Sequence, residues 1–418
     1  MKMLKCAIIL LAVVFAFGCA ARYGKVAEAP EKLQLTLEQF QEHWQIIVDM
    51  YVQPLPDTPE ARLACFQKLI AKGLEECLND RQSHYLTKEA VGKIFEELVG
   101  FYAGVGLELS HTDNPVTIVS VIEESPAEKS GKFQAGDAII EVDGQDVTKE
   151  SSQSLVGKIR GSADSGVTLR VKRSGKKHEP VALTRQMIFK RTVRALDIGQ
   201  DITYIKIEHF NNPTPMELFH EISKRLLVQL RGNIWALNFD AKKFVIDLRG
   251  NPGGSVDAVG SMSYFFAESE DEVVLTTESR KGEKIDRAGK FMSPSDGIPP
   301  GIFRDLWLAV IIDGGSASAS EIFAEFLNQS IGVPRVGTRS FGKGSVQQII
   351  SLEQGDGLYL TIAEYFVGKN RTPINKIGIQ PEYEVEDTAP VKETSRNLAV
   401  DPANDPQLRK AIELLRQR

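Results

Sequence analysis

The stretch WLAVIIDGGSASASEIFAEFLNQSIGVPRVGTRSFGKGSVQ, residues 307–347, decides how the rest of the chain is read. Its apolar run Leu308 to Ile312 has the length and β-branched content of a buried strand, and it meets Gly314 and Gly315 before a string of small residues. The helical spacing of Ile322, Phe323 and Phe326 follows, so the order is strand, sharp turn, helix. A hydroxyl at such a turn lies above a sheet edge and at a helix N-terminus, where unpaired N–H groups and the dipole favour negative charge. Nucleophilic serines use this placement. Downstream, Lys343 stands between Gly342 and Gly344, so the backbone can bend sharply there and deliver one amine to a crowded place.

GSASASEI followed by FGKGSVQ resembles the C-terminal processing peptidases, or tail-specific proteases, a family of Ser/Lys endopeptidases that carry a PDZ domain. The resemblance implies that Ser318 is the nucleophile, Lys343 the base and Gln347 the residue that orients the lysine, and the interval from 318 to 343 agrees with the family pattern. A developing oxyanion needs two donors aimed at it. The N–H of Ala319, directly after the nucleophile, is one; the resemblance of DLRGNPGG (247–254) to the family's motif implies Gly254, or with less support Gly253, as the other.

The chemistry sets a condition on the lysine. A lysine activates a serine only as the neutral amine, yet its reference pKa is about 10.4. Burial can lower that by roughly 3–5 units, so the site must be dry and free of a close carboxylate. Glu321, one turn beyond Ser318, threatens this: paired with Lys343 it would hold the amine charged. The family motif nevertheless carries a glutamate there beside an active lysine. Gln347 offers a carbonyl that can direct the amine without adding charge. In an extended strand residues 343 and 347 would be roughly 13 Å apart, so either the side chains lean together or the turn shortens the gap.

With 418 residues, 42% hydrophobic and 25% charged, the composition is that of an ordinary globular chain of two or three domains. A net charge of −6 and the lack of a basic run argue against nucleic acid as a partner. Lys2 and Lys5 precede the apolar stretch Ala7 to Phe17, which has the length of a secretory signal core, and Gly18-Cys19-Ala20 follows, suggesting lipidation of Cys19 in a bacterial lipoprotein signal. Cys65 and Cys77 would lie about 18 Å apart on one straight helix, too far for a disulfide unless the helix breaks at Gly73, and no metal spacing is present.

Residues 30–100 are expected to be helical: a start at Thr36 with Phe40, Trp44, Ile47 and Tyr51, a second helix from Thr58-Pro59, and a third after Thr87. NDRQSHYL resembles the family's D-P-H-S-x-Y-L segment, with Arg81 in place of the proline. Residues 101–188 change to short strands between Gly, Asp and Ser, and GVGLEL, SPAEKSG, AGDAIIEVDGQDV and VTLRVKRSG together resemble a PDZ domain. Such a groove adds a peptide as a strand and captures its carboxylate in backbone N–H groups, here around Gly104, Val105 and Gly106, with Leu107 lining an apolar pocket. Beyond Lys190 the pattern alternates α/β, with a helix expected from Met216 to Leu230, a closing segment 369–385, a polar linker and a last helix Pro406–Leu415.

The fold expected is thus α/β and multidomain: a signal over 1–22, a helical region over 30–100, a β-rich PDZ domain over 101–188, and a protease core over 189–390, for which the resemblance implies a crotonase-like α/β core of repeated ββα units. A linker and C-terminal helix fill 391–418. The function expected is a serine endopeptidase on the periplasmic side of a bacterial cell envelope, lipid-anchored through Cys19, cleaving proteins recognised by apolar C-terminal tails and needing no metal or organic cofactor. A homo-oligomer or an adaptor protein stays open. A catalytically silent PDZ adaptor is the alternative, set against the retention of Ser318, Lys343 and Gln347; a Ser-His-Asp hydrolase would need G-x-S-x-G where this chain has G-S-A-S-A.

Overall fold

The computed structural model describes residues 78–417 apart from 111, 190, 200, 232–233, 238–242, 293–296, 353–354 and 387–399, together with residues 72, 73 and 76. The signal over 1–22, Cys19, the helices expected around Phe40–Tyr51 and Leu63–Ile70, and the Cys65/Cys77 pair lie outside the described residues. The chain divides into two units, Met1–Cys77 and Leu78–Arg418, and all that follows concerns the second.

Six strands form its central sheet: β1 Val193–Asp197, β2 Ile202–Ile207, β3 Lys243–Asp247, β4 Trp307–Ile312, β5 Arg335–Gly337 and β6 Tyr383–Glu384 lie side by side in that order. Only the β1/β2 pair is antiparallel; each later neighbour is parallel. Along β4, Leu308, Val310 and Ile312 join one apolar core and Ala309 and Ile311 another. The first core is completed by α1 Thr214–Leu226, α2 Val256–Tyr264 and α3 Ala319–Ile331, through Leu218, Met262 and Phe323 among others. The second is completed by α4 Pro406–Arg416, through Leu408, Ala411, Ile412 and Leu415. Burial on both faces is why the 308–312 run lacks polar alternation.

One expected element is corrected. The helix from Met216 stops at Leu226 and not at Leu230: Leu227–Arg231 is a strand paired antiparallel with Ile234–Leu237. Val228 and Leu230 alternate with Gln229 and Arg231, and Gly232-Asn233 is a hairpin dipeptide, but the spacing of Leu226 to Leu230 also satisfies a helix and conceals the strand period.

A second sheet is built around the long strand Gly357–Val367, which pairs with Ser345–Ser351, His84–Leu86, Val273–Ser279 and Thr372–Pro373. The helix Lys88–Val99, capped by Thr87, leads from it to the β-rich region. That region has a core of its own, including Ile118, Ile139, Leu155 and Leu169. Its short helix Pro126–Ser130 has the Ser125 cap, the first-turn proline and the left-handed Gly131 that its residues predict. Asp143 and Gly144 both take positive φ, 50° and 79°, between the strands Ala138–Val142 and Gln145–Asp146.

At the end of β3 a buried charge cluster fastens α4 to the sheet. Asp247 accepts from the Tyr204 hydroxyl at 2.6 Å and from Arg249, and Lys206 stands 3.4 Å away. Arg249 also reaches Asp405, the N-cap of α4, at 2.7 Å and Gln407 at 3.1 Å. Burial alone would raise the Asp247 carboxyl, but the Lys206 and Arg249 charges with their hydrogen bonds hold it down at about 2. The folded state is therefore the stronger acid. Its contribution is complete above the ordinary value of 3.8 and is lost as pH falls towards 2. Asp247→Asn leaves two buried cations with one countercharge fewer, and urea unfolding at neutral pH is expected to register a loss of about 3–5 kcal/mol. The same variant should lose less further stability than the parent between pH 4 and pH 2.

Candidate active site

The turn after β4 is assembled from main-chain contacts with the turn after β3. Asp313 Oδ1 accepts from the N–H groups of Gly250 and Gly315 at 2.8 and 2.9 Å, and the Ser316 hydroxyl donates to Leu248 O at 2.8 Å. Asn251 O receives both the Ala317 N–H, at 3.0 Å, and the Ser320 hydroxyl, at 2.9 Å. This leaves Ser318 as the N-cap of α3 at φ 56° and ψ −114°, a conformation few side-chain-bearing residues adopt and one that the surrounding bonds must hold in place. Gly253 lies against it so closely that a Cβ there would stand 2.6 Å from Ala317 O and 2.8 Å from Ala319 N. Only glycine fits.

Two N–H groups beside the serine are unspent. Gly253 N–H is committed, donating to Asn251 Oδ1 at 2.9 Å. Gly254, at φ 142° against the Phe210 carbonyl, and Ala319, the first residue of α3, have no acceptor for their N–H groups among the described residues. Of the two glycines considered for an anion site, only Gly254 thus retains a donor to give.

Glu321 does the opposite of what its position threatens. Fully buried, its Oε2 accepts from the Ser318 N–H at 2.8 Å and the Lys343 N–H at 2.9 Å, and its Oε1 accepts from the Ser340 hydroxyl at 2.5 Å and the Gly342 N–H at 2.7 Å. It makes no salt bridge with the Lys343 side chain; one oxygen joins the backbones of the two residues instead. The glycines beside Lys343 have visible causes as well: Gly342 is at φ 90°, and a Cβ on Gly344 would stand 2.2 Å from Asn375 N. The closing segment 369–385 therefore backs the lysine turn, with Lys376 N–H donating to Gly342 O at 2.8 Å and Ile379 N–H to the Ser340 hydroxyl at 2.6 Å.

Burial pushes the Lys343 amine below its ordinary value, and that is the whole cause. Among the described residues Nζ has no hydrogen-bond or ion-pair partner, so neither Ser318 nor Gln347 is joined to it by a hydrogen bond in this structure. Gln347 instead donates from Nε2 to Gln82, Ser345 and Thr361. The strand alternation breaks at a bulge between Val346 and Gln347, so residues 343 to 347 are not the uniform strand of the simple estimate. Tyr365, unforeseen from the sequence, donates its hydroxyl to Lys343 O. Burial first, then the Glu321 charge, pushes that phenol well above its usual value, with the neighbouring Ser318 hydroxyl opposing them. Asn251 and Ser340 were likewise unforeseen: each is a small polar residue whose partners are remote in sequence.

A cavity of about 620 Å³ in the β-rich region is lined by Gly104, Val105, Gly106 and Leu107, the residues expected at a peptide groove, and by Val156 and Ile159 of the helix Ser152–Ile159. The strand Leu107–Leu109 pairs on one edge with Ile118–Val121 and has no second partner among the described strands. Val105 itself is buried in the domain core.

Residues 201–385 match the family model described as Peptidase family S41, and residues 103–181 the PDZ domain. A carboxy-terminal-processing protease of Bartonella bacilliformis is 33% identical over 333 residues, which make up 78% of this chain and 71% of that one. A probable CtpA-like serine protease of Staphylococcus saprophyticus is 29% identical over 332 residues, and there the match spans 79% of this chain but 62% of the relative. Among solved structures, a photosystem II D1 C-terminal processing protease is 24% identical and aligns over 88% of this chain and 98% of its own, with a TM-score of 0.44.

Glu321→Ala withdraws the acceptor from four donors at once, and thermal unfolding is expected to show a loss of roughly 3 kcal/mol or more. Glu321→Gln, of the same shape, must turn an NH2 group towards two of those donors and is expected to recover only part of it.

Proposed function

Because this chain belongs to peptidase family S41, we propose that it is a serine endopeptidase of the cell envelope that acts on proteins through their apolar C-terminal tails. The observation that carries the reading is the double use of Glu321 Oε2: it holds the backbones of Ser318 and Lys343 together and leaves the lysine amine half-buried and without a hydrogen-bond or ion-pair partner among the described residues.

In the reaction, the neutral Lys343 amine takes the Ser318 proton as Oγ attacks the scissile carbonyl. The carbonyl oxygen, now an anion, is received by the Ala319 and Gly254 N–H groups. Collapse expels the new amine terminus, which leaves with the proton from Lys343, and the acyl group stays on Ser318 as an ester. Water, deprotonated by the same lysine, then releases it. Gln347 directs the amine through its carbonyl oxygen. The unpaired edge of Leu107–Leu109 supports docking of a substrate tail as an added strand, its carboxylate held by the backbone of the Gly104–Gly106 loop. The apolar run ahead of Cys19 supports export and a lipid anchor.

Ser318→Ala and Lys343→Ala are each expected to reduce kcat on a peptide substrate by about 10⁴-fold; an unchanged rate in either defeats the dyad. Since the folded amine is a weaker base than an ordinary lysine, the acid limb of kcat/KM should lie below 10.5. A substrate ending in a free apolar carboxylate should be cleaved faster than its amidated twin. Equal turnover of the two removes the tail-recognition claim and leaves the peptidase.

A further inference from the structure

Gln347 is itself held by a residue that the reaction scheme does not use. Its Nε2 donates to Gln82 Oε1 at 2.7 Å, and the Ser345 hydroxyl closes a triangle, 2.8 Å from Gln347 Nε2 and 2.5 Å from Gln82 Oε1. Thr361 Oγ1 stands 3.2 Å from the same nitrogen. All of the amide's contacts among the described residues therefore fall on its NH2 end, and its carbonyl oxygen has none.

Gln82 reaches this place from 265 positions away along the chain and is fixed there. Its N–H donates to Asp80 Oδ1 at 2.9 Å, the Ser83 hydroxyl to Asp80 Oδ2 at 2.6 Å, and Thr361 N–H to Ser83 Oγ at 2.9 Å. The strand His84–Leu86 continues the attachment by pairing with Gly357–Tyr359. The segment is thus bound to the strand that also pairs with Gln347.

We propose that Gln82 is a positioning residue for the base: by accepting from the NH2 end of Gln347 at the 346/347 bulge, it turns the Gln347 carbonyl oxygen to Lys343. The inference rests on the peptidase reading for its kinetic consequences, but not for its effect on Lys343. The Lys343 amine has no hydrogen-bond or ion-pair partner among the described residues, Gln347 is the uncharged acceptor assigned to it, and Gln82 Oε1 makes the shortest of the three contacts, with Ser345 Oγ and Thr361 Oγ1, that hold the other end of that amide. The substitution of Gln82 by a residue that cannot accept frees the Gln347 amide to rotate, and a misdirected base slows the chemical step without touching substrate binding.

The test compares Gln82→Leu and Gln82→Glu in the full chain. Kinetics on a peptide substrate are paired with the pH dependence of Lys343 acylation by an amine-reactive reagent, read by mass spectrometry. Gln82→Leu is expected to lower kcat about ten- to a hundredfold with KM unchanged. A glutamate can only accept, so Gln82→Glu should keep the Gln347 orientation and recover kcat at alkaline pH. Its charge should move both the acid limb and the midpoint of Lys343 reactivity upward by about one pH unit. The proposal is overturned if folded Gln82→Leu keeps the parent kcat. It is equally overturned if both variants lose kcat only in step with their melting temperature while the Lys343 midpoint stays put. Should Gln82→Leu not fold, Gln82→Glu decides alone. If the parent shows no Ser318-dependent cleavage, the peptidase reading falls separately, and an unmoved Lys343 midpoint in Gln82→Glu still overturns the positioning role.

Discussion

One buried carboxylate organises the site. Glu321 is enclosed without a cation, and its charge is met by four donors, three of them main-chain N–H groups, in charge-assisted hydrogen bonds. This arrangement solves two problems together. A bare buried carboxylate would be expensive and would seek the nearest ammonium; saturated with neutral donors, it has no lone pair left to compete for Lys343. The same bonds tie the helix-capping turn of Ser318 to the Ser340–Lys343 turn, so the geometry that joins the two residues also keeps the amine from being neutralised as an ion pair.

The remaining requirements are steric. A serine at positive φ persists only where its surroundings over-determine it, and Asn251, Ser316 and Ser320 do so by bonding the 313–320 turn to the 248–251 turn. Gly253 against Ser318 and Gly344 against Asn375 let main chains approach to distances at which any Cβ would collide. Partial burial beside these close main chains is what depresses the lysine. The Asp247 cluster fastens α4 to the same sheet.

Much of this was legible in the sequence, for local reasons. The strand, the turn and the helix around Ser318 follow from an apolar run, two glycines and a helical period, and the caps at Ser125, Thr87 and Gly131 follow from residue type alone. Gly254 is favoured over Gly253 only once Asn251 is seen to claim the Gly253 N–H, a fact that spacing cannot carry. Glu321 was visible as a residue, but whether its oxygens meet an amine or a backbone depends on a turn some twenty positions away. The roles of Tyr365 and Gln82 depend on strands that meet from distant parts of the chain, and the hairpin at 227–237 was hidden because one leucine spacing fits both periods.

The chemistry stands on the charge state of one amine. Its most direct measurement is a nuclear magnetic resonance titration of the Lys343 Nζ in protein labelled at lysine nitrogen, assigned by difference from Lys343→Arg. A midpoint clearly below the ordinary 10.5 is expected, because burial disfavours the ammonium and Glu321 is spent on the backbone. A midpoint at or above 10.5 would mean that a carboxylate or open water reaches the amine, and would contradict that chemistry.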